Sequence, residues 1–193
     1  MQGFWQMWSG VLPDETVNHI IEVAESYPLN EATVGNNPSQ TKNLPDVRRS
    51  KVSWLNVLDE KTQRINNLCF IYFCHANRNC FGFSIDKIYD IQYTEYDSKN
   101  KGHYEEHMDC FMGHGEMSHR KLSMTIQLSD SNDYEGGDFI FNEKQVDKVP
   151  LPKDLRKKGT ILVFPSFVLH GVKPVTKGKR KSLVSWIEGP IWR

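Results

Sequence analysis

Residues 87–109, KIYDIQYTEYDSKNKGHYEEHMD, contain two short β-forming runs on either side of a polar segment that ends at Gly102. The runs cover residues 88–96 and 103–109. Aromatic and β-branched residues favour strands, and glycine favours the turn between them. We therefore predict that this part of the chain is β-structure.

The same pattern continues along the rest of the chain. Glycine, proline and asparagine separate further short β-type runs at residues 50–58, 122–128, 139–141, 160–164 and 181–187. No helical periodicity intervenes after residue 81, which favours a sandwich or double-sheet jelly roll over a parallel sheet. We predict a mainly β protein, a double-stranded β-helix whose core covers residues 81–193.

Residues 1–80 carry two amphipathic helical patterns. In the first, Val17, Ile20 and Ala24 share one helix face, and the second follows Asp59, which we expect to be its N-cap. The two helices are predicted to flank the sheets as a support region, so that residues 1–193 form one domain. Between them, the polar residues 30–46 are predicted to be a surface loop that could cover a site.

Composition excludes several classes of function. Lys plus Arg (24) equals Asp plus Glu (24), so no net charge recruits nucleic acid or membrane. No apolar run is long enough to span a membrane, and the first residues, MQGFWQMWSG, do not resemble a signal peptide. We expect a cytoplasmic protein whose four cysteines, without a CxxC pair, are small buried thiols.

A candidate metal site is formed by His107, Asp109 and His170. Side chains at positions i and i+2 of a strand point the same way, so His107 and Asp109 present a nitrogen and an oxygen to one point. His170 follows the apolar run 160–164, where a strand would emerge at a site. Two imidazoles and one carboxylate are the ligand set of non-haem Fe(II) oxygenases.

Arg180, ten residues after His170, is a candidate carboxylate-binding group. Its planar guanidinium matches a carboxylate bidentately, and Ser182 lies on the same strand face. Lysines at 173, 177, 179 and 181 leave a second interpretation open, in which this segment is a solvated or phosphate-binding basic face.

Three aromatic residues are either site residues or core residues. A turn at Gly102 would bring the rings of Tyr96 and Tyr104 toward the metal, and Trp186 shares strand parity with Arg180. The remaining histidines, at 19, 75, 103, 114 and 119, are interpreted as exposed or locally hydrogen-bonded side chains.

Taken together, four motifs resemble the 2-oxoglutarate and Fe(II)-dependent dioxygenases, in particular the prolyl 4-hydroxylase alpha-subunit-like or PKHD-type hydroxylase group. The resemblance covers about residues 88–190 and rests on YDSKNKGHYEEHMD (96–109), RKLSMTIQLSD (120–130), DYEGGDF (133–139) and GTILVFPSFVLHGVKPVTKGKRKSLVSWIEGP (159–190). That group includes bacterial and phage-encoded members.

The resemblance implies a role for each matching position. Iron would be bound by His107, Asp109 and His170, and the distal carboxylate of 2-oxoglutarate by Arg180. Further assignments are Tyr96 and Gln127 in the cosubstrate pocket and Arg120 and Trp186 at the substrate. Tyr104 is also expected at the substrate, from its position beside the Gly102 turn and not from the resemblance. Gln127 departs from the pattern, since many relatives have a tyrosine there.

The implied activity is hydroxylation of an unactivated C–H bond, with O2 consumed and succinate and CO2 released. Ascorbate would be the reductant, and a prolyl or other peptidyl residue the substrate. Two alternatives stay open: a free amino-acid hydroxylase, and a metal-binding jelly-roll module without turnover that uses the basic surface of residues 153–181. Conversion of 2-oxoglutarate to succinate without a prime substrate would distinguish the enzymes from the binding module.

Overall fold

The computed structural model describes residues 4–35, 42–110, 117–142 and 151–192. Within these ranges the chain forms two α-helices, α1 (Asp14–Glu25) and α2 (Gln63–Ala76). The strands in the same ranges are β1 (Gln6–Trp8), β2 (Asn30–Glu31), β3 (Arg48–Arg49), β4 (Lys51–Leu55), β5 (Ile88–Asp97), β6 (His103–His107), β7 (His119–Gln127), β8 (Tyr134–Gly136), β9 (Phe139–Phe141), β10 (Ile161–Pro165), β11 (His170–Val172) and β12 (Val175–Gly189).

The strands form two antiparallel sheets. The major sheet has the order β1-β10-β7-β12-β5-β4-β2, with β8 paired to β12, and the minor sheet has the order β3-β6-β11-β9. Residues from both sheets line one cavity, so the two sheets face each other across it. The mainly β, double-sheet architecture expected from the sequence is confirmed.

Alternation along β5 shows why the major sheet has two different faces. Ile91 and Tyr93 point outward and are fully buried in a core with the helices, whereas Gln92 and Tyr96 point to the cavity. Because strand side chains alternate between faces, one short sequence supplies both an apolar face for packing and a polar face for chemistry.

The two helices cover the outer face of the major sheet. Val17 and Ile20 of α1 and Phe73 of α2 are fully buried there. Burying a side chain of this size removes enough apolar surface from water to contribute about 2 kcal/mol. In the part of the chain that the structure describes, neither helix has the length and apolar character needed to cross a membrane.

The second helix begins later than predicted. Asp59 precedes a 3₁₀ turn at Glu60–Thr62, α2 begins at Gln63, and the Asp59 side chain caps neither. Its carboxylate instead accepts hydrogen bonds from Tyr27 Oη and Asn56 Nδ2. Asp59 thus occupies the N-cap position of the 3₁₀ turn that leads into α2, as predicted, but its carboxylate is engaged by Tyr27 and Asn56 and makes no side-chain cap.

Several strands were absent from the sequence-based assignment. β1, β2, β3, β8 and β11 have only two or three residues each, too few for a period-two pattern to be recognised. β12 begins at Val175, six residues before the predicted start, because its first residues pair with β8. The strand predicted at residues 50–58 is shorter, since β4 ends at Leu55.

The N-terminal region contributes to both sheets as well as to the helical layer. β1 pairs with β10 and β4 with β5 in the major sheet, while β3 pairs with β6 in the minor sheet. The boundary suggested at residue 81 therefore does not separate a support region from the sheets. Of the loop at 30–46, residues 36–41 lie outside the described ranges, and its role as a cover stays a prediction.

Three of the four lysines near Arg180 are paired with carboxylates. Lys179 Nζ lies 2.7 Å from Glu95 Oε2, Lys181 Nζ lies 2.8 Å from Glu25 Oε1, and Lys177 Nζ lies 3.0 Å from Glu135 Oε1. These pairs lower the local positive potential, so the structure disfavours the phosphate-binding interpretation of this segment.

Glu95 is expected to contribute to stability in a pH-dependent way. Burial alone would raise the pKa of its carboxyl, but hydrogen bonds from Lys179 and Tyr93 outweigh burial and lower the pKa below the ordinary value. The stabilisation is therefore present above the pKa of glutamate in the unfolded chain. It is lost as the pH falls through the lower pKa of the folded state.

We predict that Glu95→Gln lowers the free energy of unfolding at pH 7 by about 1 kcal/mol and makes its decline in acid less steep. Urea unfolding measured from pH 7 to pH 3 tests this. Glu135→Gln is the matched control: its ion pair is exposed, so its effect should stay within a few tenths of a kcal/mol. Equal effects of the two substitutions would contradict the role of Glu95.

Candidate metal centre

Pairing of β6 with β11 brings two histidines together. His107 and His170 are directly opposite each other in the antiparallel register, and their ring centroids lie 4.4 Å apart. Asp109 follows the end of β6, and its backbone N–H donates to Ser166 O at 2.9 Å. One ligand atom from each of the three side chains lies within 4.8 Å of the others, so together they could hold a metal ion.

Backbone carbonyls determine which imidazole nitrogen faces the cluster. His107 Nδ1 lies 2.9 Å from Glu105 O, and His170 Nδ1 lies 2.9 Å from Val168 O. Because a carbonyl oxygen only accepts hydrogen bonds, both Nδ1 atoms carry the proton. In a neutral imidazole this leaves the lone pair on Nε2, and both Nε2 atoms face the Asp109 carboxylate at 3.5 and 3.4 Å.

Asp109 is ionised although it is buried. Burial alone would raise the pKa of its carboxyl, but the imidazoles of His170 and His107 hold it well below the ordinary value. Ser123 Oγ donates a hydrogen bond to Asp109 Oδ2 at 2.7 Å and orients the carboxylate. Burial also lowers the pKa of His107, although Asp109 acts in the opposite direction. The lowered pKa favours the neutral imidazole, which is the form that binds metals.

Aromatic rings enclose the two imidazoles. Tyr104 stacks on His107 with centroids 3.6 Å apart, while Phe139 and Phe164 lie 5.5 and 4.6 Å from the His170 ring. Burial raises the pKa of Tyr104 to about 12, so its hydroxyl stays protonated. The rings keep water away from the cluster and restrict imidazole rotation, both of which favour a defined metal geometry.

Two other histidines are occupied elsewhere. His103 Nδ1 and Nε2 lie 2.9 and 3.3 Å from the carbonyl oxygens of Lys101 and Asp46. His119 was expected in a loop with a local partner, but it lies buried on β7. Its Nδ1 accepts a hydrogen bond from the backbone N–H of Trp192, which is distant in the sequence. The remaining three are His19 in α1, His75 near the end of α2, and His114, which lies outside the described residues.

The candidate metal-binding cluster of His107, Asp109 and His170, called the metal cluster below, lies in the wall of a cavity of about 720 Å³ between the two sheets. This volume is in the range of small-molecule sites. Every side chain that the sequence predicted for the site lines this cavity except Gln127: His107, Asp109, His170, Arg180, Ser182, Tyr96, Tyr104, Arg120 and Trp186.

Arg180 is a buried cation without a carboxylate partner. It is 4% exposed, and no carboxylate oxygen of the described residues lies within 4 Å of it. Its guanidinium carbon lies 5.7 Å from the centre of the Tyr96 ring. Gly137 leaves room for this side chain, because an added Cβ would come within 3.2 Å of Arg180 Cδ. A buried guanidinium of this kind is suited to bind an anionic ligand.

Gln127 lies behind Arg180 and does not line the cavity. Its Oε1 accepts a hydrogen bond from Arg180 Nε at 3.1 Å, and its Nε2 donates to Tyr134 Oη at 3.0 Å and to Ser129 O at 3.1 Å. These contacts fix the orientation of the amide. In this structure Gln127 therefore orients Arg180 and is not placed to contact a ligand in the cavity.

The outer part of the cavity combines indole rings with an ion pair. Arg120 lies 4.0 Å above the Trp186 ring and 2.9 Å from Asp90 Oδ2. Trp54, about half exposed, lies next to Trp186 with ring centroids 6.0 Å apart. Trp54 opens this aromatic wall to solvent, while Trp186 itself is buried, and the wall is suited to an apolar group of a larger ligand.

Four residues in or directly behind this site were not predicted from the sequence. Ser123, which supports Asp109, lies in a quoted motif on the same strand face as Thr125 and Gln127, and this parity could have indicated it. Arg48 and Trp54 line the cavity from β3 and β4, and Tyr134 of β8 lies behind it, where its hydroxyl accepts a hydrogen bond from Gln127.

Curated relatives resemble part of the chain. A PKHD-type hydroxylase of Prochlorococcus marinus (strain MIT 9312) is 36% identical over 111 residues, which are 56% of this chain and 46% of the relative. The chain thus spans about half the length of the curated relatives it matches.

Solved structures share the fold at low sequence identity. A Pseudomonas putida prolyl-4-hydroxylase superposes with a TM-score of 0.69 at 19% identity, covering 97% of this chain and 94% of that one. A Trichoplax adhaerens prolyl hydroxylase, solved with a peptide fragment of the hypoxia inducible factor oxygen degradation domain, superposes with a TM-score of 0.69 at 16% identity over 96% and 84% of the two chains.

The sequence profile of the 2OG-Fe(II) oxygenase superfamily matches residues 91–188, about half of the chain. That segment contains the whole metal cluster and Arg180, and the solved neighbours have the same double-sheet architecture. The chain therefore belongs to the 2OG-Fe(II) oxygenase superfamily.

Proposed function

We propose that this protein is a dioxygenase that uses Fe(II), 2-oxoglutarate and O2 to hydroxylate an unactivated C–H bond of a peptidyl substrate, most favourably a prolyl residue. The observation that carries the proposal is a buried two-histidine, one-carboxylate cluster in the same cavity as a buried arginine that has no carboxylate partner among the described residues. The first matches Fe(II), and the second matches the free end of a dicarboxylate.

His107 and His170 would hold iron through Nε2, and Asp109 through its carboxylate. The donor set fits, because the tautomers leave both Nε2 atoms unprotonated and Asp109 is ionised. When bound, Fe(II) supplies the oxidising chemistry that couples decarboxylation of 2-oxoglutarate by O2 to hydroxylation of the substrate, releasing succinate and CO2. The protein holds the ligands in one orientation and keeps the site dry.

Arg180 would bind the distal carboxylate of 2-oxoglutarate. Its guanidinium is held by Gln127, and Ser182 projects a hydroxyl into the cavity two residues further along β12. Tyr96 is opposite Arg180 on β5 and lines the same part of the cavity. This arrangement would orient 2-oxoglutarate so that its keto acid end reaches the metal cluster.

The outer cavity supports a peptidyl substrate with an apolar ring. The Trp186 face and the adjacent Trp54 offer flat contact to a pyrrolidine ring, and Arg120 can donate hydrogen bonds to a peptide carbonyl. The solved neighbours include prolyl hydroxylases, one of them in a complex with a peptide fragment. Ascorbate as a reductant stays a prediction.

A metal-binding module without turnover has less support. Its proposed basic surface is paired with carboxylates at Lys177, Lys179 and Lys181. A binding module also has no need for a buried cation beside an iron-type ligand set. A free amino-acid hydroxylase remains an alternative of the same reaction class.

We predict that His107→Ala or Asp109→Ala abolishes succinate production and reduces bound iron well below one equivalent, because each removes a ligand. Iron content of the reconstituted protein and succinate formation are the two measurements. His75→Ala is the control, since His75 is exposed near the end of α2 and lies outside the cluster. Near-normal iron content and turnover in either ligand variant would rule out this metal site.

Removal of the proposed carboxylate clamp should affect the cosubstrate alone. We predict that Arg180→Gln raises the KM for 2-oxoglutarate by about 10- to 100-fold while iron content stays unchanged, because a charged hydrogen bond contributes about 1.5–3 kcal/mol. The KM is measured from succinate release without a prime substrate. An unchanged KM would show that another cation binds 2-oxoglutarate.

The prolyl assignment has its own test. Peptide libraries that differ in one central residue (proline, lysine, asparagine or alanine) are incubated with the protein, and mass spectrometry detects the gain of one oxygen atom. We predict oxygen gain in proline-containing peptides that depends on iron and 2-oxoglutarate. Trp186→Ala should reduce the hydroxylated peptide more than it reduces the succinate formed without peptide. If the protein adds oxygen preferentially to peptides with another central residue, that residue and not proline is the substrate.

A further inference from the structure

Arg48 is a second buried arginine in the wall of the cavity. It is 8% exposed and lies on β3, opposite Tyr104 of β6 in the minor sheet. Its side chain crosses to the major sheet, where Nη2 donates to Gln92 Oε1 at 2.8 Å. The proposed function does not use this residue.

Neutral groups hold the Arg48 guanidinium in place. Nε donates to Ser50 Oγ at 2.8 Å, and the guanidinium carbon lies 4.4 Å above the centre of the Tyr104 ring. Tyr104 in turn stacks on His107 at 3.6 Å. Arg48 is thus positioned on the His107 side of the metal cluster, with its plane fixed before any ligand arrives.

Within the described ranges, no carboxylate neutralises the positive charge of Arg48. Among the described residues, no carboxylate oxygen lies within 4 Å of it. The two arginines most comparable with it are paired: Arg49, next to it on β3, with Asp46 at 3.4 Å, and Arg120, also in the cavity wall, with Asp90 at 2.9 Å. A buried charge without a counter-charge is destabilising, so a ligand that brings the anion would be favoured.

Arg48 shares this property with Arg180. Both are buried, line the same cavity and have no carboxylate partner within the described ranges. Their neutral partners also match in kind, since a glutamine side-chain oxygen accepts from each guanidinium: Gln127 for Arg180 and Gln92 for Arg48. The cavity therefore has two prepared positions for anions, and 2-oxoglutarate needs only one of them for its distal end.

We propose that Arg48 forms a second carboxylate-binding position of the cavity, next to the His107 side of the metal cluster. The inference rests on the proposed function, because it assumes that Arg180 already binds the distal end of 2-oxoglutarate. A planar carboxylate fits one planar guanidinium with a tyrosine hydroxyl beside it, whereas phosphate sites usually recruit several cations. The carboxylate belongs either to the metal-binding end of 2-oxoglutarate or to the prime substrate.

Binding to the Mn(II)-loaded protein without oxygen distinguishes these two sources. The first titration measures the Kd of 2-oxoglutarate by calorimetry for the unmodified protein, Arg48→Met and the matched control Arg49→Met. The second adds acetate to the complex saturated with 2-oxoglutarate and follows relaxation of the acetate methyl protons by Mn(II).

A Kd for 2-oxoglutarate that rises about 10- to 100-fold in Arg48→Met alone assigns the carboxylate to the cosubstrate. An unchanged Kd, with acetate binding weakened at least about tenfold in Arg48→Met alone, assigns the position to the prime substrate. That second result would also favour substrates with a carboxylate near the target carbon, including free amino acids. If neither titration depends on Arg48, the inference is overturned.

Two further measurements separate a binding role from a structural one. Because Arg48 is an unneutralised buried charge, Arg48→Met should preserve or raise the melting temperature of the ligand-free protein while reducing the rise caused by ligand. Arg48→Lys keeps the charge without the planar fork, so it should fold and bind the carboxylate more weakly than arginine does. Unchanged affinity in Arg48→Lys together with a lower melting temperature in Arg48→Met would show a purely structural role.

Failure of this inference can be distinguished from failure of the proposed function. If the unmodified Mn(II) protein binds 2-oxoglutarate and the Arg48 variants bind it and acetate equally well, only the second carboxylate position is wrong. If the unmodified protein does not bind 2-oxoglutarate at all, the proposed function itself is wrong.

Discussion

The antiparallel pairing of β6 with β11 is the constraint on which the site depends. It places His107 directly across from His170, and directly opposed residues in such a ladder have side chains close enough to share one ligand. Asp109 completes the cluster because its backbone N–H, just beyond β6, donates a hydrogen bond to the carbonyl oxygen of Ser166, which follows β10. A slip of one residue in this register would turn one imidazole to the other face of the sheet and remove the metal site.

The cavity concentrates polar groups that do not stabilise the folded chain. Arg48 and Arg180 are buried without carboxylate partners in the described residues, and Asp109 shares its pocket with two imidazoles. Stability comes instead from the outer face of the major sheet, where the helices bury a continuous apolar core, and from ion pairs such as Glu95 with Lys179. Because strand residues alternate between the two faces of the major sheet, the outer face contributes stability and the inner face lines the cavity.

Most of the candidate site and the general fold could be predicted from the sequence, but not every strand. Long strands such as β5 and β7 were recognised from their β-forming residues, whereas β3 and β8, with two or three residues each, were not. The roles of Arg48 beside the cavity and of Tyr134 behind it were not predicted, since each lies on such a short strand and acts through a partner distant on another strand. For Gln127 the position was recognised, but the contact with Arg180 that shows how it acts comes from pairing of β7 with β12.

By itself, the sequence determined the mainly β architecture, the family and the candidate residues for binding iron and a dicarboxylate, because alternation and short motifs are local properties of the chain. Only the tertiary structure decided which nitrogen of each histidine faces the cluster, which lysines are neutralised, and that Arg48 joins Arg180 in one cavity. These features depend on contacts between residues far apart in sequence. Whether a side chain is buried, and whether it has a counter-charge, depends on which residues the fold places next to it, and a local sequence pattern does not contain this information.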